Sequence, residues 1–184
     1  MKSLNYVFVV FIFLTLGFMN LTQTQWERDT SILRSRKVTT FASNDKYSFA
    51  GTPADGIYRS LKSLENWVRI SENFELDDLH IYSLAVNGNY VFAGTKTNGI
   101  FRSEDNGNNW SKSNIIDQGV HSMIAKDNFI FAGLNRNKGV NRSSDNGLSF
   151  IPFGTGLENR VVRSLASNEK FLFAGTGNNG VYYS

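Results

Sequence analysis

One short phrase occurs four times along this chain, and it constrains the fold more than any other feature. Ser48-Phe49-Ala50-Gly51-Thr52 comes back as Val91-Phe92-Ala93-Gly94-Thr95, as Ile130-Phe131-Ala132-Gly133-Leu134 and as Leu172-Phe173-Ala174-Gly175-Thr176, with the glycines 43, 39 and 42 residues apart. A unit of that length cannot bury its own apolar side chains and has to stack on copies of itself. The period therefore decides the architecture before local propensities do.

Each unit has the same four parts. The first is a short apolar run, as in Ile81 to Val86, Val120 to Ala125 and Val162 to Ala166, bounded by turn residues such as Asn87-Gly88-Asn89 and Lys126-Asp127-Asn128. Such runs read as strands. The second is the repeated aromatic phrase. The third follows Asp55-Gly56, Asn98-Gly99, Lys138-Gly139 or Asn179-Gly180. Asp-Gly and Asn-Gly supply the positive φ angles of a type I′ hairpin, so strands two and three are predicted to be adjacent and antiparallel. The fourth begins at Trp67, Trp110 or Phe150, seven residues beyond Ser60, Ser103 and Ser143.

Four short antiparallel strands per repeat of about 40 residues predict an all-β chain, a β-propeller of four-stranded antiparallel blades. About three blades are complete and others partial. The repeats are placed at 35–78, 79–118, 119–160 and 161–184, the last partial, and residues 26–34 occupy the place of a fourth strand from a neighbouring blade. A sandwich would not need the same unit to return at a constant period. Helical repeats fail for want of a 3.6-residue pattern. The chain thus reads from a fourth strand to a third. That order fits either a four-bladed ring closed by its two ends or, as favoured here, the N-terminal part of a larger propeller.

Between the third and fourth strands stand Ser103-Glu104-Asp105-Asn106-Gly107-Asn108-Asn109-Trp110 and Ser143-Ser144-Asp145-Asn146-Gly147-Leu148-Ser149-Phe150. With this Ser-x-Asp-x-Gly-x-x-Trp/Phe pattern the chain resembles the Asp-box propellers, a family that includes sialidases, sortilin-type receptor ectodomains and photosystem-stability-factor-like proteins. The box residues Ser103, Asp105, Gly107 and Trp110, and Ser143, Asp145, Gly147 and Phe150, are read as a folding device. The aspartate accepts backbone hydrogen bonds within its own turn, the glycine takes a left-handed conformation, and the ring packs beneath. A calcium loop is the sharper alternative, but the spacing and terminal glutamate of an EF-hand are missing. No metal and no cofactor is expected. The first repeat departs from the pattern, with Lys62 and Leu64 where aspartate and glycine belong, so its hairpin is expected to be the least well pinned.

Residues 1–24 carry Lys2 and the apolar run from Val7 through Phe13 to Met19, which resembles a secretory signal peptide too short for a stable membrane span. The expected location is secreted, periplasmic or cell-surface. There are no cysteines, so no disulfide framework or thiolate site is available. A formal charge of +3 without a run of like charges points to no nucleic-acid partner.

Where each unit enters its first strand, the residue before the repeated Ser or Thr varies: Thr39, Tyr82, His121 and Arg163. Varied side chains converging near a central channel suit a ligand face, and Tyr82, His121 and Arg163 are the candidates for it. Enzyme readings fare worse. Arg59, Arg102 and Arg142 recur at one strand-three position, which reads as structural. The Arg-Ile-Pro motif of the resembling sialidases is absent, since Ile151-Pro152 follows Phe150. Glu72, Glu75, Asp77 and Asp78 read as a solvated loop, and His80 and His121 as isolated from any ligand set. The expectation is a non-catalytic binding or scaffolding module for a protein or glycan ligand. A piece of a sialidase-like glycoside hydrolase and a sensor ectodomain are the alternatives.

Overall fold

Fifteen strands run through the described part of the chain. The computed structural model describes residue 33 and residues 36–62, 66–71, 80–116 and 118–184. Residues 1–24, with the expected signal peptide, nearly all of 26–34 and the acidic residues Glu72 to Asp78 lie outside the described residues.

The strands form four antiparallel sheets, each in chain order. The first holds β1 (Thr40–Ser43), β2 (Tyr47–Gly51), β3 (Ile57–Leu61) and β4 (Val68–Arg69). The second holds β5 (Ile81–Asn87), β6 (Tyr90–Thr95), β7 (Ile100–Ser103) and β8 (Ser111–Lys112). The third holds β9 (Val120–Lys126), β10 (Phe129–Leu134), β11 (Val140–Ser143) and β12 (Ile151–Pro152). The fourth holds β13 (Val162–Ser167), β14 (Leu172–Thr176) and β15 (Val181–Tyr183). These are the blades of a propeller. Their first strands pack in series, β1 on β5, β5 on β9 and β9 on β13, with no comparable packing between β13 and β1.

The core lies between blades. Phe49, Ile57, Ile81, Leu84, Phe101 and Trp110 fill the layer between the first and second blades, and Phe92, Ile100, Val120, Met123 and Phe150 the next. The repeated glycine is what lets the layers close. A Cβ at Gly94 would lie 2.8 Å from Val120 Cβ, and one at Gly133 would lie 2.7 Å from Val162 Cγ1. The bare backbone of one blade is the seat for the β-branched residue that opens the next. The repeated hydroxyl beside it ties the same strands together. Ser83 Oγ donates to the Val120 carbonyl at 3.2 Å, and Ser122 Oγ accepts the Leu165 N–H at 3.0 Å.

One local expectation needs correcting. The turns between strands two and three are not two-residue type I′ hairpins, because the paired residues Gly51 and Ile57, and Gly94 and Ile100, enclose five residues. Gly56, Gly99 and Gly180 take positive φ, whereas Asp55, Asn98 and Asn179 do not. A threonine closes each of these loops instead. Thr95 Oγ1 donates to the Gly99 carbonyl at 2.9 Å and accepts the Asn98 N–H at 2.9 Å, an ST-turn that removes the need for a second left-handed residue.

Candidate functional site: a row of bulged side chains

The two ends of the sheets differ in kind. At one end lie the hairpins between strands one and two together with the box turns, since the Asn106 N–H donates to the Asn89 carbonyl at 2.9 Å. There the box residues are internally satisfied. Ser103 Oγ donates to Asp105 Oδ1 at 2.8 Å and accepts the Gly107 N–H at 2.8 Å, while Asp105 Oδ1 accepts the Asn109 N–H at 2.8 Å. Ser143, Asp145, Gly147 and Ser149 repeat the arrangement. Partial burial works against the charge on Asp105 and Asp145. The hydrogen bonds from Asn109 and Ser103, and from Ser149 and Ser143, outweigh it and hold both carboxyls below the usual range. The aromatic rings are buried, and Trp110 Nε1 donates to the Gly107 carbonyl at 3.1 Å. In the first blade Ser60 Oγ is buried without a hydrogen-bond partner among the described residues, at the position where Ser103 and Ser143 organise their turns.

The recurring strand-three arginines reach across to the boxes. Arg59 Nη1 donates to the Asn106 carbonyl at 2.6 Å and to Asn108 Oδ1 at 3.0 Å, and Arg102 Nε donates to the Asn146 carbonyl at 2.7 Å. Each arginine of one blade grips the box of the next. Arg142 rests on the rings of Phe129 and Phe153, with its guanidinium carbon 4.5 and 4.8 Å from the two centroids.

The opposite end carries the starts of the first strands and the loops between strands two and three, as the bond from the Lys96 N–H to the His80 carbonyl at 2.9 Å requires. Here the register of three consecutive blades slips by one residue. Ile81 and Ser83 face Thr95 and Gly94, Val120 and Ser122 face Leu134 and Gly133, and Val162 and Ser164 face Thr176 and Gly175. The unpaired residue in each bulge is Tyr82, His121 or Arg163. A bulge re-aims its extra side chain away from the pleat. In the first blade Thr39 stands at the matching place, but its hydroxyl is tied to the Gly51 and Ile81 carbonyls at 2.9 and 2.5 Å.

The three candidates do come together. The Tyr82 and His121 rings stack at 5.4 Å and 15°. Burial, and then the positive charge of Arg163, push the His121 imidazole below its ordinary range. His80 was the residue missed. Its ring stands edge-on to Tyr82 at 5.2 Å, and burial, Lys96 and Lys37 likewise lower its pKa. A histidine before a bulge has no period of its own to reveal it. No group of three metal-ligating side chains occurs among the described residues. A cavity of about 360 Å³, lined by Val140, Phe153, Leu157, Leu172 and Tyr182 among others, belongs to the third and fourth blades and includes none of the bulged residues.

No protein-family profile and no curated sequence matches this chain. Solved structures do. The computationally designed protein Ika4 superposes with a TM-score of 0.65 at 11% identity over 86% of this chain and 98% of its own. YCF48 bound to D1 peptide gives 0.64 at 14% identity, covering 81% of this chain and 51% of that one. The chain has the β-propeller fold. The GH74 enzyme of Niastella koreensis gives 0.60 at 17% identity, with 81% of this chain on 28% of the enzyme. The propeller described here thus spans about half the length of YCF48 and little more than a quarter of the glycoside hydrolase.

Proposed function

We propose that this chain is an exported β-propeller acting as a non-catalytic binding or scaffolding module, with its ligand face at the bulge row of Tyr82, His121 and Arg163. The observation that carries the reading is the repetition of one irregularity. Three adjacent inner strands each spend a residue outside the ladder at the same place, and each spends it on a different, chemically rich side chain. A bulge disrupts the ladder locally, so three of them in series are a cost borne for what they aim. The box end, by contrast, turns its polar atoms inward on its own turns. A propeller of similar fold holds a peptide in YCF48 bound to D1 peptide, which supports a protein ligand here. Export rests on the N-terminal apolar run.

The test is a defined array of peptides and oligosaccharides probed with the native chain and with a Tyr82→Ala/His121→Ala/Arg163→Ala variant of equal melting temperature. Ligands retained by the first and lost by the second are expected. An array on which the two behave alike would overturn the reading. Turnover of fluorogenic glycosides by the purified chain would favour the glycoside hydrolase alternative, for which the GH74 likeness is the supporting observation.

A further inference from the structure

The three layers between blades are built from the same two half-faces. The back of a blade offers a ring and a β-branched residue from its second and third strands: Phe49 and Ile57, Phe92 and Ile100, Phe131 and Val140. The front of the next blade answers with two residues from the start of its first strand: Ile81 and Leu84, Val120 and Met123, Val162 and Leu165. Each opening residue sits on a glycine of the blade before it, and a Cβ at Gly51 would lie 2.6 Å from Ile81 Cγ2 just as Gly94 and Gly133 seat Val120 and Val162. A backbone bond recurs beside the seat. The Gly99 N–H donates to the Gln118 carbonyl at 2.9 Å and the Gly139 N–H to the Arg160 carbonyl at 3.0 Å, each acceptor two residues before the opener.

One half-face of each kind is left over. At the back of the fourth blade Phe173 is half-buried and Val181 exposed, a Cβ at Gly175 would have only Ser164 of its own sheet within 4 Å, and the Gly180 N–H has no such carbonyl among the described residues. At the front of the first blade Val38 and Phe41 stand at the places of Ile81 and Leu84. Phe41 is 63% exposed, whereas Leu84, Met123 and Leu165 are all buried. The Arg36 carbonyl, two residues before Val38, stands at the place of the Gln118 and Arg160 carbonyls. The arginine-to-box grip is the one contact without a counterpart, and both sides lack it. Tyr183 occupies the place of Arg102, and Lys62 and Leu64 the places of Asp105 and Gly107.

The leftovers match, yet they do not meet within one chain, since β13 has no packing on β1 comparable with that between the other first strands. Apolar side chains gathered on an open face mark a surface that something covers. Two chains set head to tail join both pairs at once and leave no half-face open. Four blades from each give eight, the upper end of the usual range for a propeller ring, and a third chain would exceed it.

We propose that the occupant of both open faces is a second copy of this chain, the back of each copy's fourth blade closing on the front of the other's first, with Val38 seated on Gly175. The proposal is independent of the bulge row. Each copy already holds three closed layers of its own, so the pair comes apart on dilution into chains with Phe41 and Val181 exposed. The test is sedimentation velocity of the purified chain over a range of concentrations. The mass of two chains is expected at the upper end. Val181→Asp and Phe41→Asp, both at exposed positions, should each halve that mass with the circular dichroism spectrum unchanged, and mixing the two variants should restore pairing because one junction in the mixture is intact. Leu148→Asp, at an exposed apolar residue of the third blade's box, should leave the mass as it was. A single chain's mass up to several hundred micromolar would overturn the proposal. So would a dimer that survives either Val181→Asp or Phe41→Asp, which means like face on like face, an equal loss from Leu148→Asp, or a mass that climbs without limit as an open filament's does.

Discussion

The second and fourth blades carry the same Phe-Ala-Gly-Thr phrase and have quite different surroundings. Ile100 is fully buried, and its counterpart Val181 is 71% exposed. Phe92 is buried where Phe173 is half-buried, and Phe101 where Tyr182 is half-buried. The strands pair alike in both, Phe92 with Arg102 and Phe173 with Tyr183. A Cβ at Gly94 would meet Val120 of the next blade, while the nearest atoms to one at Gly175 are those of Ser164 on its own sheet. The repeat motif therefore makes a sheet by itself but makes a core only against a neighbour. Burial here is a property of pairs of blades.

The largest test of that contrast is to remove the same ring from both. Phe92→Ala should cost about 3–5 kcal/mol, as truncation of a buried Phe does, and Phe173→Ala clearly less, read from urea unfolding midpoints. Equal losses would mean that the fourth blade is buried in solution as deeply as the second. A smaller effect distinguishes the arginines. Arg102→Met removes a buried guanidinium that holds the Asn146 carbonyl and pairs with Glu104, a loss of about 1.5–3 kcal/mol. Arg142→Met gives up ring contacts worth about 0.5–1 kcal/mol. If Arg142→Met proves the more damaging, the grip on the following box is not what the repeated arginine contributes.

The smallest effect concerns the boxes themselves. Asp105 and Asp145 have folded pKa values below the ordinary carboxylate value, so their contribution is present above that value and disappears as pH falls through the lowered one. Both are largely solvated, which limits the effect to less than about 1 kcal/mol each at neutral pH. Asp105→Asn/Asp145→Asn should flatten the acid limb of the stability profile, and an unchanged limb would assign acid sensitivity to other carboxylates. The first blade has Lys62 at the matching position, so substitution there should leave the limb alone.

Much of the fold was legible because a repeat encodes its own contacts. The aromatic phrase and the Asn-Gly spacing locate strands two and three, and the box with Trp110 or Phe150 locates the turn into strand four. The turn type was misjudged because a threonine two or more residues before the dipeptide closes the loop, and such side-chain closure competes with the hairpin signal. For the candidate ligand face, Tyr82, His121 and Arg163 were visible as variation inside an otherwise uniform motif. That each sits in a bulge was not, since a bulge is a fact about the partner strand.

The amino-acid sequence by itself determined the all-β repeat, its antiparallel blades and its self-contained box turns. All of these depend on residues within about 40 positions of one another and on hydrogen bonds that close locally. Only the tertiary structure decided which glycine seats which β-branched residue, that Arg59 and Arg102 serve the following blade, and that Tyr82 stacks on His121. Those pairings cross from one repeat to the next, and their geometry is set by how the blades stack, which a period along the chain does not encode.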